Sequence, residues 1–317
     1  ERDTERLPFD WAGYGLVVCA IICMMTAIAN GHRDGWLSDK ILLLGFAGIG
    51  LSAAFVISQL RAPAPILDFT VFTHKQFAAA AALGFVFGAG NFASTYIIPV
   101  FVQTVQSFTP TASGMVTAPA GLVVMVFFPI AGRLVDTFSA RYLVVVGLLL
   151  FALGAALLQT TSVDTAFYIL AFYVIIGRIG QSIMLPAINV SALSALPPDK
   201  LNNGSGTINF TRLMGGAFGV NLLVAFMEQR REYHAYDLTA TQTPDNALSR
   251  EVLSRIMDLL SQGGASDALL QPGSLHFLGR VIAAQANALG FRDGFMIIAV
   301  VFLCALVPAF MLSKAKN

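Results

Sequence analysis

The sequence predicts an all-α integral membrane protein, a bundle of eight transmembrane helices. Three observations predict it. Long apolar stretches recur at 13–30, 41–60, 77–101, 112–131, 142–160, 166–190, 204–227 and 294–313. The composition is 56% hydrophobic and only 12% charged, with a mean hydropathy of +0.72, whereas soluble domains carry about 25% charged residues. Finally, Arg178 and Arg212 are the only charged side chains inside those stretches. A helix rises about 1.5 Å per residue, so a hydrocarbon layer of roughly 30 Å needs about 20 apolar residues. The runs are continuous and do not alternate, which excludes a membrane barrel.

The first stretch holds Cys19 and Cys23, four residues apart on one helix face, and the last holds Cys304. With no histidine nearby they fall short of a zinc set and read as small packing residues. After the second stretch, residues 61–76 carry Pro63 and Pro65 and then Ile66, Leu67, Phe69, Val71 and Phe72 among polar residues. That pattern predicts a short interfacial segment and a boundary. The predicted units are 1–72, a pair of linker helices with the interfacial segment, and 73–317, a six-helix bundle. Pro99, Pro119, Pro129, Pro186 and Pro308 interrupt the bundle's helices. Glycines at 84, 88 and 90 and at 215, 216 and 219 permit close helix approach. Residues 228–291 are expected to form a long loop with helices of its own, because Leu248, Val252, Ile256 and Leu259, and then Leu275, Leu278, Ile282 and Leu289, recur at helical spacing. Those stripes fit a self-packed cap or a docking surface.

Basic residues set an expected orientation. With the N-terminus inside, Arg2, Arg6, Arg61, Lys75, Arg133, Arg141, Lys200, Lys314 and Lys316 fall on the inner side, against Arg33 and Lys40 in the short outer loops. Both ends are therefore expected in the cytoplasm of a multi-pass plasma (bacterial inner) membrane protein, with 228–291 outside. The net charge of +1 and the lack of a basic cluster give no sign of nucleic-acid binding. The chain starts without methionine or signal peptide and reads as the continuation of something longer.

Between the fourth and fifth stretches stands Gly132-Arg133-Leu134-Val135-Asp136-Thr137-Phe138-Ser139-Ala140-Arg141. It resembles the cytoplasmic signature of the major facilitator superfamily, Gly-x-Leu-x-Asp-basic-x-Gly-basic-basic. The match is at Gly132, Leu134, Asp136 and Arg141, with departures at Thr137, Ser139 and Ala140. Further motifs are Gly177-Arg178-Ile179-Gly180-Gln181 with Pro186, Ala195-Leu196-Pro197-Pro198-Asp199, and the run from Asn209 through Arg212, Gly215 and Gly216 to Gly219. With Phe9-Asp10-Trp11-Ala12-Gly13, Gln285-Ala286-Asn287 and Asp293-Gly294-Phe295, they are similar to the fourteen-helix drug:proton antiporter branch, the EmrB/QacA type. The resemblance implies a major facilitator superfamily helical bundle in which this chain is the C-terminal portion, helices seven to fourteen. It implies a missing N-terminal six-helix half and a site between the two halves. It also implies proton-driven export of lipophilic, often cationic compounds, with a periplasmic adaptor and outer-membrane channel as further partners.

By that scheme the first and fourth bundle helices line the cavity, offering Asn91, Ser94, Thr95 and Tyr96, and Arg178, Gln181, Ser182 and Asn189. The binding candidates are Asn91, Thr95, Tyr96, Arg178, Gln181 and Asn189. The gating and structural candidates are Gly132, Arg133, Asp136, Arg141, Arg212, Gly215 and Gly216. An arginine at mid-bilayer costs about 2.5–3.5 kcal/mol on insertion scales. With every Asp and Glu at loops, termini or helix ends, Arg178 and Arg212 are expected to meet carbonyls, water or acids of the missing half. Arg212 reads as a carbonyl clamp, while Arg178 reads equally as structural or as coupling. The histidines, His32, His74, His234 and His276, fall in predicted loops, so the coupling carboxylate is expected upstream. Haem ligation would need histidine pairs inside spans, and a nucleotide-driven pump would need a phosphate loop. No cofactor, metal or enzymatic activity is expected. A metabolite-specific carrier and a non-transporting half-transporter acting as an assembly partner are the alternatives.

Overall fold

The structure is a computed structural model that describes residues 10–63, 65–243 and 245–312, and every described element is helical. The helices are α1 (Trp11–Asp34), α2 (Asp39–Arg61), α3 (Lys75–Thr104), α4 (Pro110–Thr137), α5 (Ala140–Gln159), α6 (Phe167–Leu193), α7 (Leu201–Ala240), α8 (Ala247–Gln262), α9 (Asp267–Cys304) and the short α10 (Leu306–Phe310). All but α8 belong to the eight segments long and apolar enough to cross a membrane, the last of which runs through α9 and α10. Their starts follow local chemistry. Asp10 accepts the Gly13 amide at 2.8 Å, Thr109 accepts the Ala112 amide with Pro110 behind it, and Asn246 accepts the Leu248 amide at 3.0 Å. Each satisfies a donor that a helix start leaves without a partner.

Asp10 also ties the two ends of the α1–α2 pair. Gln59 donates to its carboxylate at 2.6 Å while the Gln59 carbonyl oxygen accepts the amides of Ile66 and Leu67. The Gly13 amide, and then the Gln59 side chain, hold the Asp10 carboxyl below its ordinary range. A depressed carboxyl contributes stability above its unfolded pKa and loses it as pH falls through the folded one, so strong acid loosens this tie. The α1–α2 pair packs on the bundle through α1 against α7. The segment after α2 forms a 3-10 turn, Phe69–Thr73, with Leu67 and Val71 buried in protein.

Within the bundle, α3 packs along α7 and α5 along α6. Lipid chains are as apolar as leucine, so small residues and close packing hold membrane helices together. A side chain at Gly88 would run into the Arg212 carbonyl, and one at Gly215 into the Phe85 carbonyl. Gly147, Gly154, Gly177 and Gly180 bring the backbones of α5 and α6 together in the same way. Phe151 stacks on Phe302 at 4.1 Å, and Phe101 meets Phe291 and Phe295 edge-on, joining α9 to α5 and α3.

Several expectations are corrected. Residues 228–291 are not a loop: α7 continues to Ala240, α9 begins at Asp267, and only α8 and two short turns lie between. At about 1.5 Å per residue, α7 and α9 are each close to 60 Å long, twice the hydrocarbon thickness. Falling hydropathy marked where the lipid ends, and the helical backbone runs on past it. In the α8 stripe, Ile256 is buried while Leu248, Val252 and Leu259 stay exposed. The last apolar run is likewise two helices, because α9 ends at Cys304 and α10 carries Pro308. Cys19 and Cys304 are exposed, not packed inside.

Histidines and acids also sit on helices. His234 of α7 and Arg230 both reach Asp293 of α9, at 2.8 and 2.5 Å, and His32 of α1 reaches Glu232 of α7 at 2.8 Å. Helical spacing joins these groups across α1, α7 and α9, where a loop would have scattered them.

Gly88→Val should cost about 1–3 kcal/mol by overpacking the α3–α7 crossing. Gly114→Ala, facing open space, should stabilise α4 by up to about 1 kcal/mol. Thermal unfolding in detergent should move in opposite directions for the two variants.

Candidate functional site

Asn91 and Thr95 lie four residues apart on α3, and Arg178, Gln181 and Ser182 share one face of α6. The α3–α6 contact brings the two polar faces together. Arg178 donates through Nη1 to Asn91 Oδ1 at 3.1 Å and to Gln181 Oε1 at 2.7 Å, and through Nη2 to Thr95 Oγ1 at 3.1 Å. The Gln181 amide donates to the same Asn91 oxygen, and Ser182 bonds back to the Arg178 carbonyl at 2.7 Å. The expectation that this chain offers Arg178 no side-chain partner is thus overturned. The acceptors are all neutral, so the positive charge is solvated by dipoles and is not cancelled.

The cluster opens onto a cavity of about 500 Å³ between α3, α4, α6 and α7. Arg178 and Gln181 line it with Phe87 and Phe92 of α3, Thr117 and Phe128 of α4, and Arg212 and Leu213 of α7. The α4 contribution was missed in the sequence. Thr117, Gly121, Val124 and Phe128 stand at i, i+4, i+7 and i+11, and that periodicity around one threonine was the available signal.

The remaining candidates divide. Arg212 donates to the Asn209 side-chain oxygen one turn back at 2.5 Å and to no backbone carbonyl among the described residues, so the expected carbonyl clamp is corrected. A side chain at Gly216 would strike Phe92, making it, like Gly215, a packing position against α3. Asn189 lies on the Arg178 face of α6, two turns beyond Gln181, and does not line the cavity. Tyr96 points to a different crevice, between α3, α7 and α9. Gly132, Arg133 and Asp136 form the last turns of α4 and are exposed, so the motif expected in a loop is mostly helical. Asp136 and Arg133 make no ion pair among the described residues, and Arg141 sits 5.0 Å over the Phe310 ring.

Residues 17–220 match the family described as Major Facilitator Superfamily. The chain belongs to this superfamily. Its eight membrane-length helices fit a superfamily of transporters, which are not enzymes. Crystal structures of a bacterial homologue of the human lysosomal transporter Spinster share its fold. The TM-scores are 0.52 and 0.53 at 14% identity, over 93% and 92% of this chain and 64% of theirs. Among curated relatives, the colistin resistance protein EmrB of Acinetobacter baumannii is 28% identical over 284 residues, 89% of this chain and 55% of that protein. The multidrug export protein EmrB of Haemophilus influenzae is 25% identical over 312 residues, 97% of this chain and 59% of that one. The fatty acid resistance protein FarB of Neisseria gonorrhoeae is 24% identical over 318 residues, 99% of this chain and 60% of that one. The superfamily chain thus spans little more than half the length of the curated relatives it matches.

Asn91→Leu and Gln181→Leu should each destabilise by about 1–3 kcal/mol, the cost of leaving a part-buried donor without its acceptor. Because both serve Arg178, the double variant should lose clearly less or more than the sum, as contacting residues do. Melting curves of the four proteins test this, and strict additivity would contradict a shared role.

Proposed function

We propose that this chain is one half of a secondary transporter that exports lipophilic compounds in exchange for protons. The carrying observation is the Arg178 cluster, a polar centre set in an otherwise largely apolar cavity between α3, α4, α6 and α7. Relatives named for multidrug export and for resistance to colistin and fatty acids support the reading. In this reading α1 and α2 are linker helices and α3–α7 with α9 form the C-terminal bundle of a fourteen-helix transporter. The chain's ends lie in the cytoplasm of a bacterial inner membrane. The extensions of α7 and α9, with α8, stand outside, where an adaptor of an outer-membrane channel would meet them. Arg133 and Asp136, exposed at the end of α4, meet the other half in one conformation and release it in the other. A proton-binding carboxylate is assigned to that other half, since Arg178 is held by neutral groups alone.

One observation favours a second cargo class. Arg178 and Arg212 both line the cavity, and no carboxylate lines it. Two guanidinium groups in a low-dielectric cleft attract anions and repel cations, so an amphipathic carboxylate suits this half better than a lipophilic cation.

Proteoliposomes of the full-length transporter under an imposed proton gradient test both readings, with ethidium as the cation and laurate as the anion. Movement of either that an uncoupler abolishes supports proton-driven export, and no movement of both contradicts it. Arg178→Gln should lower laurate transport about tenfold, a loss of one charge-assisted hydrogen bond, and leave ethidium transport nearly unchanged. The reverse pattern returns the cargo to cations.

A further inference from the structure

The part of α7, α8 and α9 that projects past the apolar layer encloses a space of its own. The helix α8 packs along α9 with little contact to α7, which leaves a groove between the end of α7 and the first turns of α8, floored by α9. It measures about 680 Å³, and small-molecule sites span about 300–1,000 Å³. From Gln271 to Ala283 the floor runs about 18 Å along α9, at about 1.5 Å per residue. Ala283 stands about 16 Å short of Gly294, where the last apolar run begins, so the groove lies outside that run.

Its lining has two characters. The floor is apolar, with Leu275, Leu278, Ile282 and Ala283, and the α7–α8 side is polar, with Thr239, Gln242, Ser249 and Arg250. That polar side is held in place before anything binds. Ser249 donates through Oγ to Gln242 Oε1 at 2.8 Å, and the Asn246 side chain donates to the Thr241 carbonyl at 2.8 Å while capping α8. Arg250 is the only charged residue in the lining, and it makes no ion pair or side-chain hydrogen bond among the described residues. The neighbouring carboxylates do not answer it: Glu251 pairs with Arg255 at 2.6 Å, and Asp237 and Asp245 lie outside the lining. Arg250 also stands in the first turn of α8, where the helix dipole adds to its pull on an anion.

We propose that this groove binds a single-chain amphipathic carboxylate, of which laurate is the probe. The carboxylate meets Arg250 beside Ser249, and the chain lies along Leu275, Leu278 and Ile282. A lipophilic cation would meet a guanidinium and no counter-charge, and an uncharged chain would leave Arg250 without a partner. A partner helix, about 10–12 Å across with its side chains, would stand largely outside a groove of this volume. The site is apart from the Arg178 cavity, so it stands whether or not that cavity carries anions.

Photolabelling of the full-length protein in phosphatidylcholine nanodiscs tests the assignment, with laurate, dodecanol and dodecyltrimethylammonium each carrying a diazirine at the chain end and the labelled peptides mapped by mass spectrometry. The carboxylate should label residues 271–283 about tenfold more than the alcohol or the ammonium, the value of one charge-assisted contact. Arg250→Gln should erase that preference. Gly279→Leu should abolish labelling by filling the groove without a clash, since a Cβ at Gly279 meets nothing within 4 Å. Neither variant should lower the melting temperature or change labelling around Arg178, which separates lost binding from lost structure. Equal labelling by the three probes, labelling of 271–283 that survives Gly279→Leu, or no labelling there at saturation would each overturn the proposal. Loss of the laurate signal on adding phosphatidylglycerol to the nanodisc would make the occupant a bilayer lipid and overturn the single-chain assignment.

Discussion

A guanidinium inside the hydrocarbon layer must be given acceptors, and the positioning of α3 against α6 follows from that demand. Arg178 draws on Asn91 and Thr95 across the interface and on Gln181 along its own helix. Sliding α6 by one residue would turn Arg178 by about 100° away from Asn91 and leave the charge in lipid. The helices behind this contact are held by a different device. Gly147, Gly154, Gly177 and Gly180 bring α5 onto α6, and Gly88 and Gly215 bring α7 onto α3. Directional hydrogen bonds set the register and glycine contacts set the distance.

That division places the polar groups on one face. The side of α3 bearing Asn91 looks into the cavity with α4, α6 and α7, while Ala89 and Tyr96 line two separate spaces with α7 and α9. One helix thus serves two environments. The long α7 and α9 carry both beyond the apolar layer, where Asp293, Arg230 and His234 clamp them together.

Much of this was legible in the chain because polar residues in apolar runs are costly and therefore conspicuous. Arg178, Gln181, Asn91 and Thr95 stood out for that reason, and the structure gathers them. Thr117 of α4 did not, because its face is otherwise Gly121, Val124 and Phe128 and differs little from lipid-facing wall. Hydropathy also ended α7 and α9 too early: Arg230, His234 and Asp293 read as loop residues although their spacing continues the helices. Asn189 and Tyr96 were grouped with the cavity by helix alone, and three-dimensional placement puts Asn189 beyond it and Tyr96 behind it.

The account stands on the Arg178 face being the wet, partner-facing side of the bundle and the α5 surface being lipid-facing. Single cysteines in a full-length protein whose Cys19, Cys23 and Cys304 are serine would report it through labelling with a membrane-impermeant, water-soluble maleimide. Cysteines at Thr117 and Gly121 should label readily, and be protected by a transported compound, while those at Val146 and Leu149 should stay unlabelled. Equal labelling of both sets, or reactivity at Val146 and Leu149 alone, would contradict it.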